Sequence, residues 1–347
     1  MAGRGAILVL RGGALGDFLV TLPTLLALRE AHPRHRLVLV GNRVAAELAR
    51  RRGLVDEVYS QHESRWSALC LPGPLPPELA DWLGAFDIVV SFWPDEDGVI
   101  ASHFPLGRGR HFLSAGGPPA IHAGGRGVFA PALPAATYLA RAVAPLGIVP
   151  RAAYCELRGD AIVWPTLGAP ATRRPLSATP AARRSEAGGP PALPGDALLA
   201  VHPGSGSPRK NWSRDRWFEF LEQVDLPVLL IAGEVEAADW NEAALRASSL
   251  APKLADGRLR LLECAPLETV IAELHGCSAY LGHDTGVSHL AAACGVSSLL
   301  LFGPTDPAVW APPAPHVRVL REGSSLERLD PATVARALAE LLRGLGT

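Results

Sequence analysis

The sequence predicts an α/β protein made of two Rossmann-like, doubly wound parallel sheets that face a central cleft. Three observations carry this. Short apolar runs of strand length alternate with helically spaced apolar residues through the first hundred positions. That alternation dies out in a Pro/Gly/Arg-rich stretch, then restarts at Ala197 and runs on in the same style. The 347-residue length suits two domains at roughly 100–200 residues each. With 48% hydrophobic and 19% charged residues, the chain can fill two cores and is not a disordered polymer.

The first half reads in order. Ala6–Leu10 is a buried strand, and Gly12, Gly13 and Gly16 form a glycine-rich turn. A helix is expected from Asp17 to Ala31, with Leu19, Leu22, Leu25 and Leu26 on one face. Leu37–Val40 and Val55–Tyr59 are strands separated by a helix over Val44–Arg52, and Pro77–Leu83 and Ile88–Phe92 continue the scheme. The stretch 101–135 is too rich in glycine and proline to read, and a helix is expected over Ala135–Leu146. This half, 1–160, forms one domain, and 161–196 reads as a linker with almost no apolar periodicity.

The second domain, 197–330, begins with a strand over Ala197–His202 and the loop Pro203–Asn211. Expected helices are Arg214–Val224, Ala238–Leu250, Leu267–His275 and Val287–Cys294. The expected strands between them are Pro227–Ala232, Leu259–Leu262, Ala279–Gly282 and, last, Ser298–Phe302. The tail 331–347 is helical and is expected to cross back to the first domain.

Bulk properties exclude several classes. The net charge of -1 leaves no broad basic surface for nucleic acid. No apolar run reaches the ~20 residues a membrane helix needs, and Ala6–Leu10 is too short for a signal-peptide core. The five cysteines are scattered, with no CxxC pair, as in a reducing compartment. A cytoplasmic location is therefore expected.

Candidate chemistry gathers at three turns. Asp17 closes the first strand–turn–helix. The segment lacks both the GxGxxG spacing of a dinucleotide site and the Lys-Ser/Thr of a Walker A loop. Asp17 is thus either a functional carboxylate facing the cleft or a helix-start acid stabilised by the dipole. In the loop after the Ala197–His202 strand, Ser205, Ser207, Arg209 and Lys210 combine small hydroxyl residues with positive charge. That combination suits a diphosphate, although an ordinary polar loop has the same composition. Asp284, Thr285, Gly286 and His289 sit where a strand passes into a helix of small residues, whose N-terminal end attracts anions. His283, Asp284 and His289 match no standard metal spacing, so no metal is expected. Glu234 and Glu236 follow a strand end where an acid reaches a ribose; a solvated helix-start role fits them equally.

These three motifs, with Thr21-Leu22-Pro23, Trp212 and Phe302-Gly303-Pro304-Thr305, together resemble glycosyltransferase family 9. This is the ADP-heptose:lipopolysaccharide heptosyltransferase family, and the match covers about residues 6–60 and 197–306 in the family's order. The resemblance implies a GT-B architecture and inverting transfer from a nucleotide-diphospho-sugar without a metal or other cofactor. It makes Asp17 the catalytic base. Ser205, Ser207 and Lys210 become the phosphate loop, Asp284, Thr285, Gly286 and His289 the donor motif, and Glu234 a ribose contact. The implied partners are a nucleotide-sugar donor, ADP-heptose in this reading of the family, and a glycan or glycolipid acceptor of the cell envelope. The chain is expected to be a monomer with peripheral contact to the inner membrane surface, where Arg50-Arg51-Arg52, Arg108 and Arg110 could meet anionic head groups, although solvated surface arginines are the commoner reading of such residues. The segment Ser91–Gly98 departs from the acceptor side of the best-known core heptosyltransferases. A nucleotide-sugar epimerase and a non-catalytic nucleotide-sugar-binding protein are the competing classes.

Overall fold

The computed structural model describes residues 5–104, 107, 109–115, 133–166 and 197–344. Its first layer of structure runs β1 (Ala6–Arg11), α1 (Leu15–Leu19), α2 (Leu22–Ala31), β2 (Arg36–Gly41), α3 (Arg43–Arg51) and β3 (Glu57–Ser60). It continues through α4 (Pro77–Gly84), β4 (Ile88–Ser91), α5 (Val99–Ser102), β5 (His111–Ser114) and α6 (Ala135–Ala140). The strands pair in parallel in the order β3-β2-β1-β4-β5. That is the Rossmann order, with its switch point between β1 and β4. The strands β1, β2 and β4 are buried almost throughout, as a sheet covered on both faces requires.

The expected single helix over Asp17–Ala31 is two helices. Pro23 has no N–H to donate and its ring opposes the carbonyl four residues back, so α1 stops at Leu19 and α2 restarts with Pro23 in its first turn. Edge strand β5 falls in the stretch that could not be read. The helix expected over Ala135–Leu146 is α only to Ala140 and continues as a 3-10 turn that contains Pro145. A short antiparallel hairpin follows, β6 (Glu156–Arg158) and β7 (Ala161–Val163), with Gly159 at φ 56 in its turn. β7 therefore opens the segment expected to be a linker. Trp164 Nε1 then donates to Glu30 of α2 at 2.9 Å, anchoring the strand's exit to the first domain. The rest of the linker, 167–196, lies outside the described residues, as do 116–132 and Arg108.

The second domain runs β8 (Leu199–His202), α7 (Arg214–Gln223), β9 (Val228–Ala232), α8 (Glu242–Arg246), α9 (Ala251–Ala255) and β10 (Leu259–Glu263). It continues with α10 (Leu267–His275), β11 (Ala279–His283), α11 (Gly286–Ala293), β12 (Ser297–Leu301), α12 (Pro307–Trp310), β13 (Val317–Leu320) and α13 (Pro331–Arg343). The parallel order is β10-β9-β8-β11-β12-β13, the same topology extended by one strand. That strand corrects the expectation that Ser298–Phe302 is last: β13 lies at the sheet edge, partly exposed, and its short pattern carries little apolar signal. The helix expected over Ala238–Leu250 shrinks to α8, because Asn241 caps it late by accepting from Ala244 N–H at 2.9 Å; Pro252 then starts α9 separately.

The tail helix, expected to cross back, instead seats on its own domain. Val334, Leu338, Leu341 and Leu342 of α13 join Trp212, Trp217 and Phe220 in one buried cluster beside β12. The domains meet elsewhere. The main apolar cluster runs from Phe18 and Leu19 of α1 to Leu290 and Ala291 of α11. Arg52, expected as a candidate head-group contact, is 6% exposed and makes a two-pronged bond to Glu268 of α10, with both distances 2.8 Å. This pair raises the arginine's pKa and lowers the glutamate's, chiefly through the hydrogen bonds themselves. Among the described residues, no helix is long and apolar enough to cross a membrane.

Candidate active site between two helix starts

Helix α1 leaves the carboxyl end of β1, and α11 leaves the carboxyl end of β11. Their N-termini abut. A Cβ on Gly286 would stand 2.8 Å from the Gly16 amide nitrogen and 2.9 Å from Leu15 Cβ, so only glycine allows the approach. Two turns far apart in the sequence thus become one place, where the carboxyl edges of both sheets face each other.

On the first-domain side, Asp17 is held on both carboxylate oxygens. Oδ1 accepts from the Arg11 guanidinium at 2.9 Å, and Oδ2 accepts from Ala14 N–H at 3.0 Å in a capping-box arrangement. Arg11 also donates to the Asp17 carbonyl (3.1 Å) and to Thr21 Oγ1 (3.0 Å), and its side chain is 13% exposed. Burial lowers the Arg11 pKa, and the neighbouring Asp17 opposes that shift. Asp17 itself remains 37% exposed, fixed in direction yet open to solvent. Gly13, at φ 103, has no room for a side chain, since a Cβ there would lie 2.3 Å from Asp17 Oδ2. The helix-start reading and the functional reading of Asp17 are therefore compatible: the cap aims the carboxylate.

On the second-domain side, Lys210 Nζ meets Asp284 Oδ2 at 2.8 Å, with side chains 31% and 8% exposed. The β8 loop and the β11 turn are thereby joined. His283 completes the join. Its Nε2 accepts from Trp212 N–H at 2.9 Å and its Nδ1 faces the Gly204 carbonyl at 3.4 Å, so both ring nitrogens are engaged within the fold. Thr285 caps α11 by accepting from Ser288 N–H at 3.2 Å. Ser205 is buried and braces its own loop, donating to Asn211 Oδ1 at 2.6 Å and accepting from Ser207 N–H at 3.3 Å. His289 stands between the domains: burial lowers its pKa, Asp284 and Asp17 oppose that, and Lys210 adds to it. A Cβ on Gly16 would come within 3.8 Å of the His289 ring.

The two acids after β9 are placed differently by the fold. Glu234 is exposed, whereas Glu236 is 8% exposed, accepts from Gly233 N–H at 3.1 Å and leaves no room for a side chain at Gly204. Spacing could not choose between them. The turn that begins at Gly233 decides, because Glu236 N–H and Ala237 N–H both bond back to the Gly233 carbonyl and roll Glu236 inward.

Sequence reading also passed over Arg11 and Gln61. Arg11 carried the clearest signal, a lone charge ending an apolar strand. Gln61 donates to the Gly13 carbonyl at 3.3 Å, and its Oε1 is buried with no partner among the described residues, a state that costs about 1–3 kcal/mol. Thr305 Oγ1, in the loop after β12, is orphaned in the same way.

His283 gives a pH prediction. Burial pushes its pKa down to about 3 from an ordinary 6.5, so between these values the unfolded chain binds a proton that the folded chain refuses. His202 is shifted in the same direction by burial. Stability is therefore complete above pH ~6.5 and falls as the pH drops toward ~3, by about 1.4 kcal/mol per unit for each such histidine. Urea midpoints at pH 7.5 and 5.5 read this directly. A His283→Gln variant should show a shallower pH slope, and an unchanged slope would refute the assignment.

Two parallel Rossmann-like domains whose carboxyl edges face each other define a GT-B-type architecture. Comparison with known proteins agrees. Residues 169–331 match the model of glycosyltransferase family 9 (heptosyltransferase). Lipopolysaccharide heptosyltransferase 1 of Pseudomonas aeruginosa is 35% identical over 117 residues, a stretch that spans 33% of this chain and 31% of that relative. A glycosyl transferase family 9 structure from Veillonella parvula superposes with a TM-score of 0.66 at 16% identity, covering 99% of both chains. The E. coli ADP-heptose lipopolysaccharide heptosyltransferase II structure gives 0.66 at 18% identity, covering 99% of this chain and 100% of that one. At these identities the structural likeness speaks for the fold.

Proposed function

We propose that this chain transfers a heptose from ADP-heptose to a lipopolysaccharide or other cell-envelope glycan acceptor, with inversion at the anomeric carbon. The observation that carries the reading is that Asp17 and the Lys210–Asp284 pair stand at the abutting starts of α1 and α11, with His289 feeling the charge of all three. In this scheme the acceptor hydroxyl attacks the anomeric carbon and gives its proton to the Asp17 carboxylate. The bond from that carbon to the diphosphate breaks, and ADP leaves with the electron pair. Lys210 and the N-terminal end of α11 offset the charge that builds on the departing diphosphate. Ser205, Ser207, Thr285, Gly286 and His289 shape the donor site around it. Ser205 and Thr285 act mainly through their loop and cap bonds, and Gly286 through the close approach it permits. Glu236, more than Glu234, fits the ribose role, being turned inward beside the same loop.

The family match over residues 169–331 supports the donor half of this reading. The relative from P. aeruginosa, named for its action on lipopolysaccharide, supports the acceptor class. Work on a cytoplasmic precursor at the inner face of the membrane, by a monomer, completes the proposal. Calorimetry with ADP-, GDP- and UDP-sugars tests it. ADP-heptose should bind in the micromolar range and the others at least tenfold more weakly; a chain that binds none of them, or prefers a UDP-sugar, would overturn the donor assignment.

A further inference from the structure

Behind the start of α11 a buried cluster of hydroxyl groups surrounds Ser288. Tyr280 of β11 is fully buried, and Gly282, two residues on, shares its face of the strand. A Cβ on Gly282 would stand 2.4 Å from the Tyr280 hydroxyl oxygen, so the glycine is what lets the phenol reach the carboxyl end of the strand. There the Tyr280 hydroxyl meets Ser288 Oγ at 3.0 Å. Ser288 Oγ also meets Thr285 Oγ1 at 3.2 Å and donates to the His283 carbonyl. A hydroxyl has one proton to give and two lone pairs to receive with. Ser288 gives its proton to His283, so Tyr280 and Thr285 both donate to Ser288, and Thr285 in turn accepts the Ser288 N–H. Burial raises the pKa of the phenol and keeps it a donor; its hydroxyl neighbours Ser288 and Thr285 oppose the shift, and the charge of Glu236 adds to it. The Gly286 and Val287 amides, first in the helix, have no acceptor among the described residues. A phenylalanine at 280 would fill the same space with no polar atom to satisfy, and it would need no glycine at 282.

We propose that Tyr280 is a positioning residue for the donor diphosphate: through Ser288 it fixes the Thr285 cap and so keeps the Gly286 and Val287 N–H groups aimed at the phosphates. The inference rests on the donor site assigned above. Ser288 ties the end of β11 to the first turn of α11 by its bond to the His283 carbonyl, and the turn through Asp284 and Thr285 is closed between them. The phenol fills the remaining lone pair of Ser288 and holds its rotamer. Without that bond Ser288 is free to turn, and the Thr285 proton loses a fixed acceptor. The pull of a helix start on an anion falls off within one turn, so a small shift of these amides weakens the grip on a phosphate. The nucleoside end is held independently of this cluster, because Glu236 is fixed by its own bond from Gly233 N–H. Tyr280 therefore bears on the phosphates and not on the nucleoside.

The test compares ADP with adenosine on the whole chain, by calorimetry for ADP and by competition against ADP for adenosine. Tyr280→Phe keeps the ring and removes only the hydroxyl. It should weaken ADP about fivefold or more, within the worth of one hydrogen bond, and leave adenosine within about twofold. Ser288→Ala should act in the same direction. The double variant should bind ADP no more weakly than Ser288→Ala alone, because the phenol acts through Ser288. Both affinities are read on folded protein, so a lowered melting temperature leaves their ratio untouched. An ADP-to-adenosine ratio in Tyr280→Phe equal to the parent's, or losses that add in the double variant, overturns this inference alone. If the unaltered protein binds ADP no more tightly than adenosine, the donor reading beneath it falls instead.

Discussion

Replacing Asp17 with asparagine should lower turnover by about 10²–10⁴-fold, the usual contribution of a positioned general base. The affinity for ADP-heptose should stay within twofold. The geometry explains why the two effects separate. The asparagine side chain keeps an oxygen that can accept from Ala14 N–H or face Arg11, so the start of α1 survives. Arg11 retains its bonds to the backbone carbonyl at this position and to Thr21 Oγ1, and is not left as a stranded buried charge. What disappears is a group able to take a proton. The assigned donor contacts come from residues beyond 200, across the junction where Gly16 touches Gly286. Steady-state transfer to a glycolipid acceptor, beside calorimetric donor affinity and a thermal melt, separates the possibilities. Retained turnover would remove Asp17 from the chemistry. A collapsed melting temperature would show that its cap and its bond to Arg11 hold the domain together, and Asp17→Glu, which keeps both charge and base, then decides between the roles.

The doubly wound pattern was legible because buried parallel strands are short apolar runs, and β1, β2, β8, β9 and β11 are of that kind. Edge strands β5 and β13 were not, since partial exposure mixes their composition. The proline that splits α1 from α2 stands in plain view, but the leucine spacing continues across it and masks the break. The site divides along the same line. Motif residues at turns could be picked out one at a time, yet the Lys210–Asp284 contact joins positions 74 residues apart, and no local pattern encodes it. That Glu236 turns inward and Glu234 does not depends on a turn's hydrogen bonds. Arg52 read as one of three surface arginines until the fold set it against Glu268, 216 positions away.

Replacing Lys210 with alanine should weaken ADP-heptose binding at least tenfold and lower turnover by about 10²–10³-fold, as when one donor to a developing charge is removed. An ammonium has three N–H donors. Asp284 takes one of them at 2.8 Å, which leaves two for a diphosphate arriving at the start of α11. The same change strands the Asp284 carboxylate, 8% exposed, without its partner. Removing one member of a buried pair costs more than the pair is worth, although water at the 31%-exposed lysine softens the loss here to about 1–3 kcal/mol. Stability and catalysis can therefore fall together for different reasons, and a second substitution separates them. Lys210→Ala combined with Asp284→Asn removes the stranded charge and should recover most of the lost melting temperature, while transfer stays low because the cation is still missing. If the double variant recovers transfer as well, Lys210 serves only to hold Asp284. If Lys210→Ala alone binds ADP-heptose as tightly as the parent, the β8 loop does not hold the diphosphate at all.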